Sequence, residues 1–196
     1  MTHMPLDALS DMTDDDVLAL YSAGDARAAQ VLTMRFAPKA LGQATRLLGD
    51  ASEAQDVAQD AMMRLFRQAP DWRRGEAKVG TWLYRVVANL CTDRLRKRGG
   101  GVALDEIAEP LDPSASVPDQ MQASARAAAL RAALAELPER QRLAVSLRHL
   151  EGLSNPQIAD IMQVGVEAVE SLVARGKRAL ASRLLDRKDA LGFEND

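Results

Sequence analysis

The chain of 196 residues has one cysteine, Cys91, and two histidines, His3 and His149. A lone cysteine excludes an internal disulfide and fits a reducing compartment. One cysteine and two histidines exclude the usual ligand sets of a structural zinc site. No stretch approaches the ~18 consecutive apolar residues that a bilayer-spanning helix needs. The first sixteen residues, Met1 to Asp16, are acidic and lack the basic-then-apolar order of a secretion signal. These absences predict a cytoplasmic protein without membrane insertion. Aromatic residues are scarce at 4%. No serine, histidine or cysteine arrangement has catalytic spacing, and His149 lies among leucines in a helical stretch. No catalytic residue, no metal and no cofactor are therefore expected, and the chain reads as a non-enzyme.

What is present is charge, unevenly spread. The net charge is −3, from 25 basic and 28 acidic residues. Residues 1–25 carry six aspartates and no basic residue. Residues 72–98 carry eight basic against two acidic residues, and residues 171–188 carry six against one. Between them, residues 99–119 hold five acids and no base. Two basic blocks separated by an acidic strip point to two contacts with a polyanion, in spite of the acidic total.

Apolar residues recur at spacings of three and four throughout, which predicts an all-α protein. Thr13 before three aspartates reads as a helix start, with the acids in the positive first turn. That helix runs to about Tyr21 and stops near Gly24. A second covers Ala26 to Leu48, with Pro38 as a break or kink and Gly49 as the stop. Asp50 with Glu53 is a capping-box-like start for a third, which reaches Ala69. Pro70 to Gly80 reads as a loop and Thr81 to Arg98 as a helix. The triple glycine at 99–101 and the three prolines before residue 119 mark a flexible acidic linker. Beyond it, helices are predicted over 120–136, from Pro138 to about Leu150, over 155–162, and over 166–185. The domains are thus an N-terminal tail at 1–13, a helical bundle at 14–98, the linker at 99–119, a second helical domain at 120–185 and a tail at 186–196.

The last segments fit a helix-turn-helix. Ile158, Ala159 and Met162 face inward from the first helix, with Ala159 small enough for a close crossing. Val164, Val169 and Leu172 face inward from the second. Glu167, Glu170, Ser171, Ala174, Arg175 and Arg178 are left outward, the face that enters a major groove in such motifs. In the first domain, Trp72, Arg73, Arg74 and Lys78 precede a helix that starts with Trp82 and Tyr84 and ends with Arg94, Arg96, Lys97 and Arg98. Cations interleaved with rings suit single-stranded nucleic acid. An ordinary helix with a core tryptophan and a basic end accounts for the same residues.

Three runs taken together, GDASEAQDVAQDAMMRLFRQ, GTWLYRVVANLCTDRLRKR and LPERQRLAVSLRHLEGLSNPQIADIM followed by VEAVESLVARGKRAL, resemble the extracytoplasmic-function sigma factors of bacterial RNA polymerase. These are small members of the sigma-70 family that keep only regions 2 and 4. The resemblance implies a region 2 bundle at 14–98 and a region 4 helix-turn-helix at 120–185. It implies an alternative sigma factor that binds core polymerase and directs initiation from −10 and −35 promoter elements, in a stress response. By that likeness Asp56, Gln59, Asp60 and Met63 meet the β′ clamp helices. Trp82, Tyr84, Arg85, Asn89, Asp93, Arg94, Lys97 and Arg98, with Trp72, Arg73, Arg74 and Lys78 of the preceding loop, meet the melted −10 element. A base flipped from the non-template strand is expected in the loop from Asp71 to Gly80. Region 4 meets the −35 element and the β flap, and an anti-sigma factor is an expected partner.

Two departures stand out. Glycine is usual where this chain has Gln163. Where the family's recognition helix carries a threonine-valine-lysine-serine-arginine run, this chain reads Ala168-Val169-Glu170-Ser171-Leu172. Glu170 repels phosphate and can accept from a cytosine amino group. Phosphate contact then shifts to Arg175, Lys177 and Arg178. The acidic linker either threads a positive channel of the polymerase or merely stays solvated. The alternative for the whole chain is a stand-alone helix-turn-helix repressor or activator.

Overall fold

The computed structural model describes residues 9–98 and 117–185. The expected linker lies outside the described residues except at its end, and so do residues 1–8 and the tail 186–196. Eight α-helices run through the described residues, which contain no strand. They are α1 (Asp14–Ser22), α2 (Ala26–Leu48), α3 (Ala51–Gln68), α4 (Val79–Lys97), α5 (Val117–Ala135), α6 (Glu139–His149), α7 (Asn155–Met162) and α8 (Val166–Leu185). A single 3-10 turn, Ala69–Asp71, follows α3.

The helix ends follow local chemistry. The Thr13 hydroxyl accepts from the Asp16 N–H at 3.2 Å, and Asp14, Asp15 and Asp16 fill the first turn of α1. Asp50 Oδ1 accepts from the Glu53 N–H at 2.8 Å. Gly49 closes α2 in the left-handed conformation at φ 69°, which suits a residue without Cβ. The Ser154 N–H donates to Gln157 Oε1 at 2.9 Å, the back-bond of a capping box. Two expectations shift. Helix α4 begins at Val79, two residues before the expected start, because Lys78 takes an extended N-cap conformation. Helix α5 begins at Val117, with Pro118 in a first turn that needs no proline N–H. Pro38 lies inside α2 and does not end it.

Helices α1–α4 share one continuous core, which extends into α6, α7 and α8 through Leu147, Ile158, Ile161 and Val169. Leu18, Leu32, Phe36, Leu48, Leu65 and Leu83 are large, fully buried members from α1–α4. Helices α5, α6 and α8 close a smaller cluster around Leu134, Leu137 and Val145. Gly176 makes the α6–α8 crossing possible. A Cβ there would lie 2.6 Å from Val145 Cγ2 and 3.2 Å from the Gln141 carbonyl oxygen. Ala159, the expected small residue of the helix-turn-helix, is also buried.

The second set of helices packs on the first, with α7 against α4. Arg142 is buried, and its Nη1 donates to the Leu47 carbonyl of α2 at 2.7 Å. Its Nη2 donates to the carbonyls of Ala135 at 2.7 Å and Leu137 at 3.1 Å. The Thr92 hydroxyl donates to Glu139 at 2.8 Å. Glu151 accepts from the Tyr84 hydroxyl at 2.7 Å and pairs with Arg46.

Candidate nucleic-acid and polymerase interface

Helix α3 turns one face inward through Ala54, Val57, Ala58, Ala61, Met62 and Leu65. Its spacing leaves Asp56, Gln59, Asp60 and Met63 outward, and all four are exposed. The sequence reading missed what lies beside them. Met34 and Leu41 of α2 are exposed and, together with Ala37, Pro38, Met62 and Met63, line an open groove between α2 and α3. Met34 and Leu41 are seven residues apart, two helical turns, and so share a face. That spacing was the available signal. Contiguous exposed apolar surface rimmed by polar groups is the kind of surface that proteins, membranes or ligands cover.

The second surface lies where the loop 71–78 meets α4. Trp72 and Trp82 pack edge to face, with ring centroids 6.0 Å apart and planes at 89°. Gln68, Asp71, Arg73 and Glu76 complete a pocket of about 380 Å³ around them. Both tryptophans are half-buried, while Arg73, Arg74, Lys78, Asn89, Asp93 and Lys97 are exposed. Helix α1 braces this loop, as the sequence reading did not foresee. The Trp72 indole N–H donates to Asp15 Oδ1 at 3.0 Å, and Arg74 pairs with Asp16 at 2.8 Å. The Thr13 hydroxyl, and then Arg74, hold the Asp16 carboxyl below its usual range against partial desolvation.

Not every residue expected on this surface is free to act there. Tyr84 is buried and its hydroxyl is committed to Glu151. Burial raises its pKa, and the nearby Arg46 charge opposes that rise. Arg98 folds back on the start of α3. It donates to Glu53 Oε1 at 2.9 Å, to Asp50 Oδ2 at 3.1 Å and to the Leu48 carbonyl at 3.3 Å. Arg94 is half-buried and lies 4.0 Å from Asp60. Arg85 is half-buried as well. The physical reason is helical spacing. Tyr84, Cys91 and Arg98 are seven apart, on the face of α4 that turns into the protein, whereas Trp82, Asn89 and Asp93 point elsewhere. Cys91 is buried, and desolvation pushes its thiol up to about 12. It is a core group, not a thiolate at neutral pH.

The third surface is the outward face of α8. Glu167, Glu170, Ser171, Ala174, Arg175, Lys177 and Arg178 are all exposed, while Val169, Leu172 and Gly176 are buried. Among the described residues, Arg175 and Arg178 bond only carbonyls of their own helix, Ser171 at 3.3 Å and Ala174 at 3.4 Å. Gln163 takes the left-handed conformation between the two helices, at φ 54° and ψ 51°. Its side-chain amide donates to the Asp160 carbonyl at 2.7 Å. The turn therefore places Gln163 in a conformation that glycine adopts without steric cost. Among the described residues there is no group of side chains that could hold a metal ion, and no helix long and apolar enough to cross a membrane.

Comparison with known proteins identifies the family. The family profile of sigma-70 region 2 matches residues 32–100, and that of sigma-70 region 4 matches residues 127–180. The chain is 32% identical over 193 residues to the RNA polymerase sigma-H factor of Pseudomonas aeruginosa, covering 90% of this chain and 96% of that one. It is 36% identical over 174 residues to the extracytoplasmic-function (ECF) RNA polymerase sigma factor SigM of Mycobacterium tuberculosis, covering 88% of this chain and 85% of that one. Its fold is similar to that of CnrH, solved in complex with the cytosolic domain of CnrY, with a TM-score of 0.63 and 26% identity, over 88% of this chain and 97% of that one. The chain belongs to the sigma-70 family, in the group of extracytoplasmic-function sigma factors.

Proposed function

We infer that this chain is an alternative sigma factor that joins core RNA polymerase and selects promoters through −10 and −35 elements. One observation carries the reading. Regions 2 and 4 occur in order in a chain alignable with nearly the whole of sigma-H. The groove beside Asp56, Gln59, Asp60 and Met63 takes the β′ clamp helices. The Trp72–Trp82 pocket, with Arg73, Arg74, Lys78, Asn89 and Lys97 around it, takes the melted −10 strand. The outward face of α8 takes the −35 major groove, with Arg175, Lys177 and Arg178 on phosphates. Region 2 comprises residues 14–98 and region 4 residues 120–185. The bond-making chemistry belongs to the polymerase and none to this chain, which works beside that enzyme in the cytoplasm. CnrH, similar in fold, was solved in complex with the cytosolic domain of CnrY, which supports a protein partner for this chain besides the polymerase. The anti-sigma factor expected from the sequence is our reading of that partner.

The test is a gel shift and run-off transcription on a genomic library, with and without bacterial core enzyme. Start-site selection and promoter binding are expected only when core is present. Asp56→Arg, which puts a cation on the docking face, is expected to abolish holoenzyme assembly. Tight duplex binding by the chain alone would instead mark a stand-alone repressor or activator.

A further inference from the structure

We propose that Asp15 is a positioning residue for strand capture, acting through Trp72. The proposal rests on reading the Trp72–Trp82 pocket as the holder of an unpaired base. A stacking platform selects a base only if its plane is fixed before the base arrives, since ordering a free ring on binding subtracts from affinity. An indole has one hydrogen-bond donor and no acceptor. That donor is spent on Asp15 at 3.0 Å, which leaves the ring little freedom to turn about its side-chain bonds. The loop around it supplies no comparable restraint. Residues 73–78 are exposed, and the Arg73–Glu76 pair at 3.4 Å is local to the loop. Trp82 supports one edge of the ring, and a further tie to the loop, Arg74 to Asp16, comes from the same turn of α1. That turn is itself anchored. Arg35 of α2 pairs with Asp14 at 2.7 Å and donates to the Leu9 and Ser10 carbonyls at 3.0 and 2.7 Å. Hence the first turn of α1 transmits the rigidity of the bundle to the tryptophan.

Acids in a first helical turn also favour the helix dipole, whatever they touch. Asparagine separates the two roles, because it keeps the acceptor oxygen and loses the charge. Holoenzyme made with bacterial core would be challenged with a pool of short single-stranded DNA of random sequence, and the retained strands sequenced. Wild-type protein is expected to show a base preference at a position that Trp72→Ala flattens. Asp15→Ala is expected to weaken the preference at that same position by about fivefold, the scale of one hydrogen bond. Other positions and core affinity should not change, and Asp15→Asn should restore the preference. If Trp72→Ala flattens the preference and Asp15→Ala does not, the role of Asp15 is refuted while the pocket stands. If neither variant changes selection, or wild-type protein shows none, the pocket reading falls and takes the proposal with it. Asparagine behaving as alanine, or a uniform loss at every position, would make Asp15 a stabilising acid only and end the proposal.

Discussion

The end of α4 and the middle of α8 read alike as sequence, each a helix with arginines and lysines a few residues apart, and the structure uses them differently. At the end of α4, Arg98 is consumed by the fold, tying Asp50, Glu53 and the Leu48 carbonyl together. In α8, Arg175, Lys177 and Arg178 are exposed, and among the described residues no acid of another helix pairs with the two arginines. A basic run thus counts charges without saying which are spent. Helical phase decides it. A cation on the inward face meets helix ends and carboxylates, and one on the outward face stays available for phosphate.

The largest expected effects come from removing the spent cations. Arg98→Ala strands two half-buried carboxylates and weakens the cap of α3, because Asp50 is that cap. A loss of about 2 kcal/mol is expected in urea unfolding, the scale for charge-assisted bonds to partly buried groups. If Arg98→Ala unfolds like wild type and loses only promoter binding, the contrast between the two helices is wrong. Gly176→Ala comes next and sharpens the contrast within α8, since it lies between Arg175 and Lys177 yet faces the core. The added methyl meets Val145 Cγ2 and the Gln141 carbonyl, so a loss of about 1–2 kcal/mol is expected in the same measurement. Val145→Ala, which shortens the opposing side chain, should recover part of that loss.

Arg175→Ala is the opposite case. Stability should stay within about 0.5 kcal/mol of wild type, as for an exposed residue whose side chain bonds to its own helix. Holoenzyme binding to promoter DNA should weaken by about tenfold, and the salt slope should fall by about one unit, as one phosphate contact implies. Measuring promoter affinity at several salt concentrations checks both numbers. An unchanged slope would remove Arg175 from the phosphate contacts.

Most helix boundaries were legible because caps are local chemistry. Thr13 with Asp16, Asp50 with Glu53, and Ser154 with Gln157 are each three residues apart, and Gly49 signals its own conformation. The outward face of α8 was legible for a similar reason, since one helix and a fixed period determine it. The commitments of Tyr84 and Arg98 were not, because their partners are distant in sequence. Glu151 is 67 residues from Tyr84, and Asp50 is 48 from Arg98. Arg142 reaches a carbonyl 95 residues away. Nothing in a linear pattern predicts such pairs. The apolar rim of the groove between α2 and α3 was hidden differently. Met34 and Leu41 sit in a helix with ample apolar residues for the core, so their exposure shows only after the bundle is packed.

The smallest expected effect concerns the turn that joins α7 to α8. Gln163 holds a left-handed conformation that costs a residue with a Cβ about 1 kcal/mol, and its amide offsets part of that through the Asp160 carbonyl. Gln163→Gly removes the steric cost but also the side-chain bond, and it frees the unfolded chain. These terms nearly cancel, so a net change of less than about 1 kcal/mol is expected by urea unfolding. Gln163→Val keeps the cost, loses the amide and adds a β-branch, so it should be the less stable of the two. The ordering of the two variants matters more than either value. If valine were tolerated as well as glycine, the turn would not be left-handed, and the angle at which α8 is presented to DNA would have to be set elsewhere.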